Sequence, residues 1–507
     1  MTQQNESLFA SLVAGIGDAK HVFLYLPNGQ TLSYGDMLGR TARFATGLRN
    51  AGLRPGGRLA AQVEKSADAL FLYLACLRAG AVYLPLNPAY TTAETGYFLK
   101  DAEPSCIVVA PRKQSALEPL RNGAKLLTLA ADGTGSLAES TCGLPDEFDD
   151  VPRRSDDLAA ILYTSGTTGR SKGAMLTQRN LASNALALSN LWRFTSSDVL
   201  LHALPIYHTH GLFTATNTVL TTGAAMILLP KFDLDEVFAQ VPRATTMMGV
   251  PTFYTRLLAD GRLKRNTVAH MRLFVSGSAP LLPETHRAFL ARTGHAILER
   301  YGMTETNMIA SNPYQGERRA GTVGFALPDV ELRISDPDSG DAPPDGGVGM
   351  IELRGPNVFK GYWRDADKTR SAFRDDGFFA TGDLGSIDSE GYLHIAGRAK
   401  DLVISGGFNV YPGEVEAEID AISGVAESAV IGAPHPDLGE GVAAVVVLES
   451  GMRITEADVL AALRLRLATY KLPKRILFAD ELPRNVMGKV RKSALRETYC
   501  KIFDERR

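Results

Sequence analysis

Cysteine is scarce and scattered. Cys76, Cys106, Cys142 and Cys500 never fall at the paired spacing of a zinc site or a disulfide framework, which argues against both and fits a reducing compartment. An excess of charge of one sign is also missing. The formal net charge is −2, so neither a nucleic-acid partner nor a polybasic membrane anchor is expected. An anionic substrate must then be met by local cations and backbone NH groups. The longest apolar run, residues 71–86, is interrupted by Arg78 and is too short to span a bilayer. Residues 1–12 carry Glu6 and no Lys or Arg, so they do not read as a targeting peptide. The cytoplasm is the expected compartment, with no membrane association.

What is present is an alternation of helical and extended patterns over 507 residues, more than one core usually serves. Met37, Phe44 and Leu48 lie on one helical stripe, and Gly52 stands where a helix C-cap belongs. Residues 59–63 read as a strand, 67–79 as a helix, 81–85 and 107–110 as further strands. This βαβ rhythm predicts a parallel-rich sheet with helices on its faces. Residues 131–157 are polar and read as a loop. From Gly321 to Ile395 the pattern changes to short strands split by Gly, Pro and Asp, which predicts a small β-rich subdomain. After Lys400 a compact α+β tail begins. Val415, Ile419 and Ile422 mark one helix there; Thr455 and Asp458 form a capping-box pattern before a second, carrying Val459, Leu463 and Leu467. The expected class is α/β: a large multi-part N-terminal domain (1–399) and a small α+β C-terminal domain (400–507).

The segment Tyr163-Thr164-Ser165-Gly166-Thr167-Thr168-Gly169-Arg170-Ser171-Lys172-Gly173 follows a strand-like run, residues 158–162. Its glycines let backbone NH groups approach phosphate oxygens, and its hydroxyls and Lys172 add donors and charge. It is not a Walker A loop, because Gly173 rather than Ser or Thr follows Lys172, and residues 174–176 read as a returning strand. The competing reading is a polar hairpin with no ligand.

The chain also carries Gly277-Ser278-Ala279-Pro280, Glu299-Arg300-Tyr301-Gly302-Met303-Thr304-Glu305, Thr381-Gly382-Asp383, Gly397-Arg398-Ala399-Lys400-Asp401, Gly406-Gly407-Phe408-Asn409-Val410-Tyr411-Pro412 and Pro483-Arg484-Asn485-Val486-Met487-Gly488-Lys489. Together with residues 164–173 these motifs, in this order, resemble those of the superfamily of acyl- and aryl-CoA synthetases, luciferases and peptide-synthetase adenylation domains. The resemblance spans nearly the whole chain. It implies ATP-dependent adenylation of a carboxylate, release of pyrophosphate, and transfer of the acyl group to coenzyme A.

The resemblance also implies roles. ATP would be held by Thr164, Ser165, Gly166, Thr167, Thr168, Gly169 and Lys172, by Ser278, Ala279 and Pro280, and by the run from Glu299 to Thr304. Mg²⁺, for which Mn²⁺ can substitute, would sit on Glu305 and Thr167, since a carboxylate is a hard oxygen ligand. Alone, Thr304 and Glu305 would read as a cap and a solvated acid. Asp383 would accept the ribose hydroxyls and Arg398 would reach them; an Asx turn and a surface ion pair are the plain alternatives. Lys489 would steady charge as the carboxylate attacks the α-phosphorus, with Thr304, Glu305 and His208 as further catalytic groups. The C-terminal domain would be mobile about Lys400, withdrawing Lys489 and presenting Ser405, Gly406 and Gly407 to the pantetheine arm of coenzyme A. Lys489 also resembles the lysine at which related synthetases are acetylated, implying an acetyltransferase and a deacetylase as partners.

The acyl pocket draws on residues 207–212, 248–256 and 303–308. His208, His210 and Arg256 make a pocket for a plain fatty acid unexpected. If Pro251 opens a helix, Phe253 and Leu257 share one face, Thr252 and Arg256 another. Arg256 then stands either at a pocket mouth or in water. These segments resemble the malonyl-CoA synthetase branch, which implies malonate and methylmalonate as substrates. A second carboxylate buried without a partner would be prohibitive, and a guanidinium takes it bidentately. The expectation is Arg256 in that role, with His210 and Ser278 assisting and Thr209 and Met308 limiting size at the α-carbon. Arg287 is the alternative cation. Rival readings are a synthetase for another acid, a phosphoryl-transfer enzyme, a non-catalytic nucleotide sensor, and an adenylation domain serving a carrier protein.

Overall fold

A computed structural model describes residues 5–164, 171–336, 340–343, 346–405, 408–436, 438–467, 469–485 and 488–504. It has the expected α/β class. A nine-stranded sheet runs in the spatial order 325–326, 307–311, 298–303, 273–276, 246–249, 199–202, 225–228, 22–25, 31–33. Its six central strands are parallel, and antiparallel strands close both edges. A six-stranded sheet has the order 125–128, 106–109, 58–62, 82–85, 158–164, 172–177 and is parallel except for its last pair. Such sheets are covered on both faces, so their strands read as unbroken apolar runs; Cys106–Val109 and Leu273–Ser276 are buried at every residue.

Between the sheets lies the helix Ala67–Arg78, buried along nearly its whole length. Arg78, which interrupts the longest apolar run, is itself buried. Its Nε bonds Asp150 at 2.6 Å and its Nη1 bonds Leu38 O and Thr41 Oγ1 at 2.8 and 2.9 Å, so the charge is paired where an isolated one would be costly. Among the described residues no helix is long and apolar enough to cross a membrane. All four cysteines are free thiols.

The stripe of Met37, Phe44 and Leu48 is the buried face of the helix Tyr34–Asn50. Gly52 follows it with φ +97°, a conformation that suits glycine. Two segments are more helical than expected. The loop at 131–157 contains the short helix Ser136–Ser140, and the β-rich stretch, a four-stranded antiparallel sheet over residues 331–398, is interrupted by the helix Ala366–Ala372. Both are short and amphipathic only through tertiary contact, so periodicity does not reveal them.

Residues beyond 403 form a sheet of their own, in the order 408–410, 403–405, 439–448, 425–435, with 475–478 parallel to 439–448. Its apolar clusters contain no residue from earlier in the chain. The capping box of Thr455 and Asp458 is present. Ile422 and Leu467 lie just past the ends of the helices they were expected to join, Pro412–Asp420 and Glu456–Arg464, yet still pack against the cluster.

Candidate active site

In the nine-stranded sheet, Gly249, Ser276 and Glu299 are ladder partners on three adjacent parallel strands; Gly249 and Ser276 end theirs, and Glu299 is the last parallel-paired residue of its own. His202 ends the next strand, in register with Met248. Ligands of open α/β sheets bind outside such strand ends, and the segments that follow these residues line a cleft. The strand Val199–His202 leads to His208 and to a π-helical turn, His210–Thr216. The strand Thr246–Gly249 leads to the helix Pro251–Ala259, with Pro at its first position, which meets the condition set from the sequence. The strand Leu273–Ser276 leads to the turn at 277–280. Leu298–Met303 turns through Glu305 into Asn307–Ser311.

Buried polar atoms without partners gather here. They are Ser276 Oγ, His208 Nε2, His210 Nε2, Glu299 Oε2, Arg300 Nε and Nη2, and Asn307 Nδ2. Each unpaired buried group costs about 1–3 kcal/mol, so a cluster of them marks a place where a polar ligand completes the bonding. Arg300 is central. It is 3% exposed, and its guanidinium lies under Gly277, where an added Cβ would stand 2.3 Å from its Cζ. Burial pushes the guanidinium down to about 9 and the Glu299 carboxyl up to about 8. Glu299 Oε1 accepts from Leu281 N at 2.9 Å.

His210 Nδ1 lies 3.2 Å from Ser278 Oγ. Burial first, then the charge of Arg300, pushes its imidazole well below the ordinary value, so the ring is neutral. Ser278 has φ +74°, the turn conformation that brings its hydroxyl there. Thr209 Oγ1 donates to Asn307 Oδ1 at 2.8 Å, and Met308 is fully buried behind them.

A second group of residues faces the same cleft. Asp383 Oδ1 pairs with Arg398 Nε at 2.8 Å, and its Oδ2 accepts from the Tyr301 hydroxyl at 2.5 Å. Glu305 is buried. Burial raises its carboxyl, and its Oε1 accepts from the Tyr362 hydroxyl at 3.0 Å. No Lys or Arg pairs with Glu305 among the described residues, so a cation arriving with a triphosphate fits it. Lys172 lies 5.1 Å from the centre of the Tyr362 ring and pairs with Thr164 across an antiparallel ladder, so the expected returning strand is present. Ser165, Gly166, Thr167, Thr168 and Gly169 lie outside the described residues, as do Gly406 and Gly407.

Lys489 comes from the other end of the chain. Its own surface is open to the cleft, yet protein crowds its ammonium. That crowding, followed by the charge of Arg398, lowers it; Asp383 and Glu305 act in the opposite sense, and Arg300 adds to the lowering. It also depresses His208, whose imidazole falls to about 4, mainly by burial. The loop carrying it is tied as a turn. Asn485 N donates to Lys489 O at 2.9 Å, Lys489 N donates to Asn485 Oδ1 at 3.0 Å, and Arg484 donates to Gly488 O at 2.6 Å.

The remaining sequence candidates are spread more widely. Ala279, Gly302, Met303 and Thr304 are half-buried along the cleft, and Pro280 is exposed. Ser405 is buried and Lys400 is exposed. Arg256 is exposed, with its guanidinium 4.9 Å from the Phe232 ring centre. It shares a helix face with Thr252, beside which Gly488 packs, so it stands at the rim and not among the buried unpaired atoms. Arg287 lies on the exposed face of the helix Pro283–Thr293. Lys65, His202, Asn307 and Tyr362 were not anticipated from the sequence. A buried histidine closing an apolar strand and a tyrosine after a glycine carry no local signal of function.

The AMP-binding enzyme pattern matches residues 13–363, and the AMP-binding enzyme C-terminal domain pattern matches residues 414–489. The chain is 37% identical over 480 residues to an indoleacetate–CoA ligase of Aromatoleum aromaticum, covering 93% of this chain and 94% of that one. It is 36% identical to a mitochondrial malonate–CoA ligase of Mus musculus, covering 82% and 77%. Crystallised ATP-bound MatB from Rhodopseudomonas palustris superposes with a TM-score of 0.97 at 58% identity, covering 99% and 100%. With both sequence patterns matched and the cleft placed at their shared face, the chain belongs to the AMP-binding enzyme family.

Proposed function

We propose that this protein is an AMP-forming acid–thiol ligase that joins malonate, and also methylmalonate, to coenzyme A. The observation that carries the choice of acid is Arg300. A buried guanidinium with two unpaired donors, beside neutral His210 and Ser278, suits an acid with a second carboxylate and suits a plain acyl chain poorly. Arg300 and not Arg256 is then the primary partner of that carboxylate. Arg256 at the rim attracts the dianion on entry. Similarity to malonate–CoA ligases supports the same reading.

In the first half-reaction a carboxylate oxygen of malonate attacks the α-phosphorus of ATP and the bond to pyrophosphate breaks. Such in-line displacement needs positioning and charge more than covalent chemistry. Lys489 steadies the charge that develops, Asp383 and Arg398 orient the ribose, Tyr301 and the turn at 277–280 frame the base, and Lys172 faces the outer phosphates. Mg²⁺ bound at Glu305 would neutralise phosphate charge. In the second half-reaction the thiol sulfur attacks the acyl carbon, AMP leaves, and the thiol proton passes to solvent. Residues 400–507 move as a unit about Lys400 between the two steps, bringing Ser405 and the following glycines to the cleft. Acetylation of Lys489 by a protein acetyltransferase would remove the charge and halt the first step only.

The test is incubation with ATP, Mg²⁺, CoA and a panel of carboxylates, with thioesters identified by mass. Malonyl-CoA with AMP and pyrophosphate is expected. ADP in place of AMP, or preference for an aryl or fatty acid over malonate, would overturn the proposal.

A further inference from the structure

Lys65 sits far from every motif quoted above, in the bend between the strand Arg58–Gln62 and the helix Ala67–Arg78 of the six-stranded sheet. Its side-chain amine nevertheless crosses to the nine-stranded sheet. Nζ lies 2.9 Å from His202 Nδ1 and 2.8 Å from His202 O. On the far side of the ring, His202 Nε2 lies 2.8 Å from Gly211 O. The Gly211 carbonyl can only accept, so a neutral ring carries its proton at Nε2 and leaves Nδ1 to accept from the Lys65 amine, whose own basicity burial pushes well below the ordinary value. The ring therefore accepts at Nδ1 and donates at Nε2, which fixes a single neutral tautomer. Burial, ahead of the neighbouring Lys65, pushes the imidazole down to about 3, so the ring is neutral, in keeping with that assignment.

Gly211 is the residue after His210. An added Cβ there would stand 2.0 Å from Pro205 O, so the chain folds back on itself with no slack. The Gly211 carbonyl also accepts from Thr216 Oγ1 at 3.0 Å, which ties the two ends of the π-helical turn. The same bend faces the acyl pocket at another point: Glu64 lies within electrostatic reach of Tyr207, whose ring packs 4.7 Å from that of His208.

We infer that Lys65 is a positioning residue for the acyl pocket: through His202 and Gly211 it holds the turn that presents His210 to the bound carboxylate. This rests on the proposed ligase reading and adds to it a residue of the other sheet. The two sheets are thereby clamped together at the point where the acid binds. Loss of the clamp loosens His210 and Ser278 without touching Asp383, Glu305 or Lys489. The effect therefore falls on the carboxylate and not on the nucleotide.

The test compares Lys65→Met with Lys65→Gln in the full chain. Met matches the length but donates nothing; the Gln amide can still donate to Nδ1. For Lys65→Met the KM for malonate should rise about tenfold or more, with KM for ATP within about twofold of wild type. Lys65→Gln should recover most of that loss. In the wild-type protein, ¹⁵N shifts of the His202 ring should show unprotonated Nδ1 and protonated Nε2. Unchanged malonate KM in Lys65→Met, equal shifts in both KM values, or a ring averaging between tautomers would each overturn the inference. Should Lys65→Met fail to fold, Lys65→Gln and the ring shifts decide alone. Wild-type turnover of malonate is the control: its absence would sink the ligase proposal and not the clamp, which would then be assayed with whichever carboxylate the panel identifies.

Discussion

At the scale of single residues, the two arginines divide the work by depth in the proposed reading. Arg300 has no water to fall back on, so a dianion that loses it faces an unpaired buried charge, which costs about 3–5 kcal/mol. Arg300→Met should lower kcat/KM for malonate by about 100-fold or more and spare a monocarboxylate. Arg256 is exposed and already stacked on Phe232, so Arg256→Leu should cost about tenfold, mostly in KM and mostly at low salt. Steady-state kinetics with the two variants separates these assignments; the reverse order would return the role to Arg256. The histidines set a pH dependence. The folded value of His208, about 4, lies below the ordinary 6.5. The unfolded chain therefore binds a proton that the folded one refuses between those limits. Stability is complete above pH 6.5 and is lost as pH falls towards 4, by about 3 kcal/mol for this group. His208→Gln removes that term, so unfolding curves at pH 7 and pH 4 should show the variant gaining on wild type by about that amount.

Among the elements, the turn at 277–280 shows how closely backbone and side chain are matched. Gly277 does not have positive φ, so alanine is conformationally acceptable there; the obstacle is the Arg300 guanidinium, 2.3 Å from the new Cβ. Gly277→Ala should leave thermal stability within a few degrees of wild type while cutting malonate activation at least tenfold, measured as malonate-dependent pyrophosphate release. Elements of this kind were partly legible beforehand. Strand ends and caps could be read because apolar runs and Ser, Thr or Pro at helix starts act locally: the Pro251 helix and the Thr455 box both stand where the pattern put them. The motif residues Asp383, Arg398, Tyr301 and Glu305, expected together only through the family resemblance, lie close to one another. The depth of each side chain could not be read. Arg256 and Arg300 look alike in sequence, and which one is buried depends on strand Leu298–Met303 lying beside strand Leu273–Ser276, a contact between distant segments. Lys65 was missed for the same reason, since its partner lies 137 residues away.

For the molecule as a whole, the position of Lys489 is the informative fact. A sheet whose apolar clusters are entirely its own places one ammonium among Arg300, Asp383, Glu305 and Arg398, groups drawn from the earlier part of the chain. Gly488 meets Thr252, and the start of the Pro412–Asp420 helix meets Ala396. Among the described residues no apolar cluster spans the two parts, so the arrangement is suited to exchange with another. If Lys489 serves only the step that makes the adenylate, Lys489→Ala should abolish malonate-dependent pyrophosphate release. The same protein, supplied with malonyl-AMP, should still transfer the acyl group to coenzyme A at a rate within about tenfold of wild type. Single-turnover assays of each half-reaction measure both numbers on one preparation. Equal loss in the two would mean that one fixed arrangement performs both steps, and the relocation of residues 400–507 would have to be abandoned. Loss in the first alone would mean that the same cleft accepts a different face of the C-terminal sheet once the adenylate is made.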